Sequence, residues 1–144
     1  MNMMKIEEAL SEQGKCVFPV KGTSMLPLLR QERDTVVVVP LCEMAEKYDV
    51  VLFRMKENYI LHRVIKIKKD RYIICGDNCI SKEVVPFGSV IGVAVGFNIN
   101  GNYVSVDDEE YVKYSKKQVR GRWKRILKGK AVYVAKRLFK RSHK

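Results

Sequence analysis

A serine on a short turn between two predicted strands is the first residue of this sequence whose setting favours chemistry. Ser24 lies in the segment 21–29, and Pro27 prevents that segment from continuing as a strand. A side chain on such a turn can face a substrate. A serine hydroxyl is a weak nucleophile at neutral pH, so it needs a base that removes its proton during attack. These residues could therefore perform acyl transfer if the fold supplies a base.

Only two histidines are available to act as that base. His143 lies in the basic C-terminal end, whereas His62 lies within the predicted strand 59–67. Alternation along a strand places His62 on the face opposite Leu61 and Arg63. Because a histidine in a strand is more often structural than catalytic, His62 becomes a candidate base only together with other segments.

An acidic residue on a turn could complete such a site. Asp77 follows a predicted strand, in the segment 75–78 that reads Cys-Gly-Asp-Asn. Its carboxylate could accept a hydrogen bond from the imidazole, which would fix the tautomer and stabilise the cation formed as the serine loses its proton. The alternative is that Asp77 caps the turn, as Gly-Asp-Asn sequences readily do.

The order and spacing of these three segments resemble the family of signal peptidase I and LexA-like serine peptidases. The resemblance rests on a Ser-Met-x-Pro turn at 24–27, a His-Arg-Val strand at 62–64 and a Gly-Asp-Asn turn at 76–78. In that family the serine is the nucleophile, and the base is a lysine in bacterial signal peptidases and LexA but a histidine in the endoplasmic reticulum type. The sequence is similar to the histidine branch, since His62 stands at the base position.

The resemblance also implies roles for neighbouring residues. Asp77 falls where histidine-type members carry an acid that supports the base, and Glu83 is close enough in sequence to compete for that role. Backbone N–H groups of the nucleophile's turn would form part of the oxyanion hole, with Met25 beside them. Many signal peptidases have a serine two residues before the nucleophile. Here that position is Gly22, so Thr23 or the backbone alone must serve.

These features predict a serine endopeptidase that cleaves a peptide or a leader segment and needs no cofactor. Two alternatives remain open. One is an inactive binding module that uses its basic C-terminal end to hold a membrane or a nucleic acid. The other is a DNA-associated regulator that cleaves itself or a partner. A LexA-like repressor is disfavoured, because only 23 residues precede Ser24.

The elements that must position these side chains are short runs of β-branched and aromatic residues between turns. Tight hairpins are predicted at 56–58 and at 98–102, the second because it contains Asn-Gly. We expect a mostly β fold whose twisted antiparallel sheets curl into a partly closed barrel, with a short N-terminal helix ending at Gly14 and a basic C-terminal helix. The predicted strands are 16–20, 35–39, 50–55, 59–67, 72–75, 90–97 and 103–106.

Charge divides the chain into two parts. Residues 111–144 hold 14 Lys and Arg and no acidic residue, whereas residues 1–110 hold 14 basic and 16 acidic residues. We therefore predict a peptidase-like β domain over 1–110 and a basic amphipathic extension over 111–144. An apolar stripe within the extension favours binding to an anionic membrane surface, with packing on the body and nucleic acid binding as alternatives. The stripe comprises Val119, Trp123, Leu127, Ala131, Val134 and Leu138.

Hydrophobic patterning and cysteine content predict where the protein resides. The longest apolar runs, 36–39 and 90–97, are shorter than the roughly 18 residues of a membrane-spanning helix. The N-terminus does not have the layout of a secretory signal. We expect a cytoplasmic protein with a peripheral membrane position, and hence reduced cysteines. Cys75 and Cys79 have the spacing of metal ligands, but no second cluster accompanies them, so ordinary thiols are favoured over zinc.

Overall fold

An antiparallel sheet and three α-helices form the part of the chain that the computed structural model describes, residues 3–142. Side chains are described for residues 6–130 and 135–138, and His143 lies outside the described residues. The elements in chain order are α1 (Met3–Gln13), β1 (Cys16–Pro19), β2 (Thr35–Pro40), β3 (Val50–Met55), β4 (Asn58–Ile67), β5 (Arg71–Cys75), β6 (Glu83–Pro86), β7 (Val90–Ile99), β8 (Asn102–Ser105), α2 (Glu109–Arg120) and α3 (Arg122–Ser142).

The predicted strands and hairpins are confirmed, each strand to within two residues of its expected bounds. Gly14 directly follows α1 with a φ of 72°, a left-handed conformation in which glycine commonly ends a helix. Two expectations need correction. An eighth strand, β6, was not predicted, because its four residues include only two apolar ones. The single C-terminal helix is two helices, since the chain breaks at Gly121.

The sheet follows the order β1-β2-β7-β3-β4-β5-β6, with β8 beside β7. All of these pairs are antiparallel. The long strand β7 pairs with β2 on one edge and with β3 and then β8 on the other. The two ends of the path, β1 and β6, do not pair with each other. The fold is therefore the mostly β, curled and open antiparallel sheet that the sequence predicts.

Strand β3 is buried on both faces and separates two apolar cores. Val50 and Leu52 pack with α1, β1, β2 and β7, whereas Val51 and Phe53 pack with β5 and β6. In the β3–β4 pairing, His62 lies opposite Val51 and Arg63 opposite Val50. Adjacent residues of β4 thus enter two different environments.

Asp34 closes the loop that precedes β2. Its carbonyl accepts a hydrogen bond from the Val20 N–H (3.3 Å). Its buried carboxylate accepts from the backbone N–H groups of Arg30 (2.8 Å) and Asn100 (3.0 Å) and from Nε of Arg33 (2.8 Å). Burial opposes ionisation of this carboxyl, but the hydrogen bonds outweigh it and lower the pKa of Asp34 to about 2. Asp34 therefore fixes both ends of the loop that contains Ser24.

We expect Asp34→Asn to remove a pH-dependent part of the stability. A carboxyl with an ordinary pKa of about 3.9 when unfolded and about 2 when folded contributes about 3 kcal/mol at neutral pH. This contribution is complete above the unfolded pKa and is lost as the pH falls through the folded one. Urea unfolding should show the variant less stable than the parent at pH 7, with about half of that difference left at pH 3. A difference that is the same at both pH values would contradict this role.

Candidate active site

Ser24 lies half-buried on a loop that is stabilised by hydrogen bonds between its own residues. The N–H of Leu26 donates to the carbonyl of Thr23 (3.2 Å), which tightens the turn around Ser24. At the start of the turn, the Gly22 N–H donates to Oε1 of Gln31 (3.0 Å). Gly22 has a φ of 76°, which a residue with a β-carbon rarely adopts. The glycine that departs from the family pattern is thus a requirement of this turn.

The turn after β5 fixes this loop from outside. The backbone N–H of Asn78 donates to the Ser24 carbonyl (2.9 Å), and its side chain donates to the Thr23 carbonyl (3.1 Å). The Asp77 N–H donates to Sδ of Met25 (3.5 Å), a side chain that is only 2% exposed. Two of the predicted segments are therefore in direct contact, and Met25 is part of that contact.

Gly76 marks the point where the serine loop and the histidine meet. A β-carbon at this position would lie 2.7 Å from the carbonyl oxygen of Ser24, 3.0 Å from Nε2 of His62 and 2.8 Å from Sγ of Cys79. At such distances the Ser24 carbonyl oxygen and the packed His62 ring would have to move away from a β-carbon, and neither has room to do so. Only glycine therefore fits at position 76. Its missing side chain lets Nε2 of His62 and the backbone of Ser24 approach the same point from two sides.

The other ring nitrogen of His62 faces Glu83, on the strand β6. Nδ1 and Oε1 are 2.8 Å apart, with side chains that are 8% and 20% exposed. The distance is that of a hydrogen bond, but the angle is not, so Nδ1 has no aligned partner among the described residues. A small rotation of the ring or carboxylate would align the pair, as often happens when substrate binds. Phe53 packs edge-on against the ring, with centroids 6.2 Å apart.

Asp77 does not contact the imidazole. Its carboxylate accepts from Nε (2.8 Å) and Nη2 (2.9 Å) of Arg63 and from the hydroxyl of Tyr114 (2.8 Å). The prediction that Asp77 supports His62 is therefore wrong about this contact, which the alternative residue, Glu83, makes instead. The physical reason is alternation in β4. Adjacent residues point to opposite faces, so His62 and Arg63 each meet a different acid.

Arg63 is buried and charged, and all three nitrogens of its guanidinium donate hydrogen bonds. Besides Asp77, it donates through Nη1 to the carbonyl of Tyr48 (2.8 Å), the hydroxyl of Ser115 (2.8 Å) and the hydroxyl of Tyr111 (3.2 Å). Burial disfavours its charge, but the hydrogen bonds and negative charge of Asp77 outweigh burial and raise the pKa of Arg63. Sequence reasoning did not identify this pair. The sequence feature that could have indicated it is the arginine at position 63, within the apolar run of β4.

Helix α2 belongs to the packed body. Tyr111 and Ser115 are buried, and the Tyr114 hydroxyl donates to Asp77. Burial, followed by the negative charge of Asp77, raises the pKa of Tyr114, so this hydroxyl keeps the proton that it donates. The domain boundary predicted after residue 110 therefore falls within α2, a helix that contributes Tyr111 to the core.

The backbone N–H groups of Ser24 and Met25 are available as donors. Within the part of the chain that the structure describes, neither donates to a protein acceptor. Thr23, the side chain predicted for the oxyanion hole, is exposed, and its carbonyl is held by Asn78. Unpartnered amides beside a serine hydroxyl are suited to bind the oxyanion that develops during acyl transfer.

A cleft of about 530 Å³ is lined by both Ser24 and His62. Its walls come largely from β1 and from residues 58–62 of β4. These residues of β4 pair with β3, whereas β5 pairs only from Arg63 onward. In the described part of the chain, residues 60–62 therefore have a strand partner on the β3 side only, and a strand that accepts an extended peptide needs such an edge.

The cysteine thiols near the site are engaged with backbone carbonyls. Cys75 Sγ lies 3.4 Å from the carbonyls of Gly76 and Ser81, and Cys79 Sγ lies 3.9 Å from that of Ser24. Burial first, and then the electrostatic influence of the neighbouring Cys75 and Glu83, raises the pKa of the Cys79 thiol, which weakens it as a nucleophile. Among residues 3–142, no three His, Cys, Asp or Glu side chains form a group able to hold a metal.

A scan against protein-family models finds no match to this chain, and a search of curated proteins finds no similar sequence. The likeness to signal peptidases and LexA therefore depends on the residues quoted above. No helix in the described part of the chain is both long enough and apolar enough to span a bilayer.

The two acids should respond differently to removal. Asp77→Ala leaves the guanidinium of Arg63 buried without its partner, so we expect the free energy of unfolding to fall by about 3–5 kcal/mol. Glu83→Ala removes a partly exposed group, and we expect a loss of about 1 kcal/mol. Urea unfolding followed by circular dichroism measures both. Equal losses, or a larger loss for Glu83→Ala, would contradict the structural role of Asp77.

Proposed function

We propose that the protein is a serine endopeptidase of the signal peptidase and LexA-like type. Ser24 is the nucleophile, His62 is the general base, and Glu83 orients the base. The observation that carries the proposal is that Nδ1 of His62 lies 2.8 Å from Oε1 of Glu83, while Nε2 of the same ring and the backbone carbonyl of Ser24 both border the space left by the missing side chain of Gly76. This order of acid, base and serine is what proton transfer from a hydroxyl requires.

In the proposed reaction, Oγ of Ser24 attacks the carbonyl carbon of a peptide bond while Nε2 of His62 accepts the hydroxyl proton. Glu83 stabilises the imidazolium that forms. The N–H groups of Ser24 and Met25 donate to the oxyanion. His62 then gives its proton to the leaving amine, which leaves an acyl-enzyme, and a water molecule hydrolyses the ester by the same steps in reverse.

The substrate is proposed to be an extended peptide that adds to the edge of β4 at residues 60–62. Backbone hydrogen bonds to this edge would place the scissile carbonyl beside Ser24, and the apolar walls would select side chains. The resemblance to maturation peptidases suggests a leader segment of a gene-encoded peptide as the substrate. A cytoplasmic location with peripheral attachment to the membrane is part of the same proposal.

A peptidyl phosphonate that carries a phenoxide leaving group should label Ser24. The hydroxyl displaces phenoxide from phosphorus, and intact-mass spectrometry detects the adduct. We expect Ser24→Ala to abolish labelling and His62→Gln to slow it by about 100-fold or more.

Ser11→Ala is the matched control, because Ser11 is an exposed serine of α1 that does not line the cleft. It should label at the parent rate. Labelling that survives in Ser24→Ala, or a parent protein that no peptidyl phosphonate modifies, would contradict the proposal and favour an inactive binding module.

A further inference from the structure

A second cleft, of about 350 Å³, lies between the β4–β5 hairpin and the junction of α2 with α3. Side chains such as Ile73 and Ile126 form an apolar floor, and no acidic residue lines the cleft. Such a combination suits a ligand with an anionic group and an apolar portion. Five basic side chains line it: Lys66, Lys68, Lys82, Arg120 and Arg122.

Arg122 offers this cleft an unused donor. Its Nη2 donates to the carbonyl of Ile80 (2.8 Å), which fixes the guanidinium in place. Its Nε is buried and has no hydrogen-bond partner among the described residues. A buried N–H without an acceptor is costly, and a small turn of the guanidinium toward an anion in the cleft would give it one.

The apolar stripe of α3 faces away from the body. Trp123, Leu127 and Leu138 are 57%, 55% and 59% exposed, so the alternative that the stripe packs on the body does not hold for these residues. The side chains of Ala131 and Val134 lie outside those described. The helix contacts the turn after β5 through a different face, where Gly129 lies directly against Ile80.

Basic residues border the exposed stripe on both sides. At 3.6 residues per turn, the three exposed side chains fall within about 60° around the helix axis. Exposed Lys130 and Arg137 flank one side of this sector, and exposed Lys124 and Lys128 flank the other. An apolar sector between two basic borders is the pattern of a helix that lies in a membrane interface.

We propose that α3 lies on an anionic membrane surface, with its exposed stripe between the lipid headgroups and one lipid phosphate in the second cleft. Trp123 both lines the cleft and belongs to the stripe, so one orientation of the helix satisfies both contacts. Charge complementarity comes from the 14 basic residues of 111–144, which no acidic residue offsets. A nucleic acid would match the charge but would leave the apolar stripe in water. This proposal does not depend on peptidase activity.

The test uses the only tryptophan of the chain, Trp123, as a fluorescent probe. The full-length protein is titrated with vesicles of phosphatidylcholine alone or with phosphatidylglycerol. We expect a blue shift of the emission and co-sedimentation only with the anionic vesicles, weakening as salt is added. Soluble glycerol 3-phosphate should not reproduce the shift.

The cleft is tested with the triple variant Lys66→Gln, Lys68→Gln and Lys82→Gln. We expect its partitioning into the anionic vesicles to fall by at least about tenfold. The matched control removes the same charge at exposed lysines outside the cleft and outside 111–144, Lys15→Gln, Lys47→Gln and Lys56→Gln, and should lose markedly less affinity.

Equal losses in the two triple variants would overturn the cleft assignment. An equal shift with glycerol 3-phosphate would assign the cleft to a free phosphate instead. Tight binding to duplex DNA without binding to anionic vesicles would overturn the membrane proposal in favour of a nucleic acid partner.

Discussion

The buried ion pair between Arg63 and Asp77 is the interaction on which the rest of the structure depends. Moving two charges into an apolar interior is costly, and it is tolerated only when hydrogen bonds satisfy both groups. Here the carboxylate accepts two bonds from the guanidinium and a third from Tyr114. The pair fixes the turn after β5. That turn holds the carbonyl of Ser24 through the N–H of Asn78, so the loop of Ser24 is positioned by an ion pair that it does not touch.

The alternation of β4 gives Arg63 and His62 two different acidic neighbours, and in the proposed mechanism only His62 exchanges a proton. Arg63 meets Asp77 where both side chains are almost fully buried, and neither can change its charge without leaving the other unpaired. His62 meets Glu83 in a more exposed place, at a short distance but without alignment. A general base gains and loses a proton in each catalytic cycle. A carboxylate that can change its position suits such a base better than one that several hydrogen bonds hold in place. Neighbouring residues of one strand thereby provide both rigidity and proton transfer.

Local patterns in the sequence were sufficient for every strand but β6 and for the hairpins, whereas the contact between the Ser24 turn and the Asp77 turn was implied by the family resemblance. They were not sufficient to choose between two acids. Glu83 lies on β6, which has too few apolar residues to be predicted and forms only because β5 offers an edge to pair with. The partner of His62 is therefore decided by long-range pairing. Likewise, a charge-based boundary at residue 110 could not reveal that Tyr111 and Ser115 belong to the network of Arg63.

The proposed mechanism requires that Nε2 of His62 accept the proton of the Ser24 hydroxyl beside the turn at Gly76. A crystal structure of the phosphonate adduct measures this most directly. We predict phosphorus bonded to Oγ of Ser24, Nε2 within hydrogen-bond distance of that oxygen, and an aligned hydrogen bond from Nδ1 to Glu83. An adduct on Sγ of Cys79, or an imidazole turned away from the modified serine, would contradict the account.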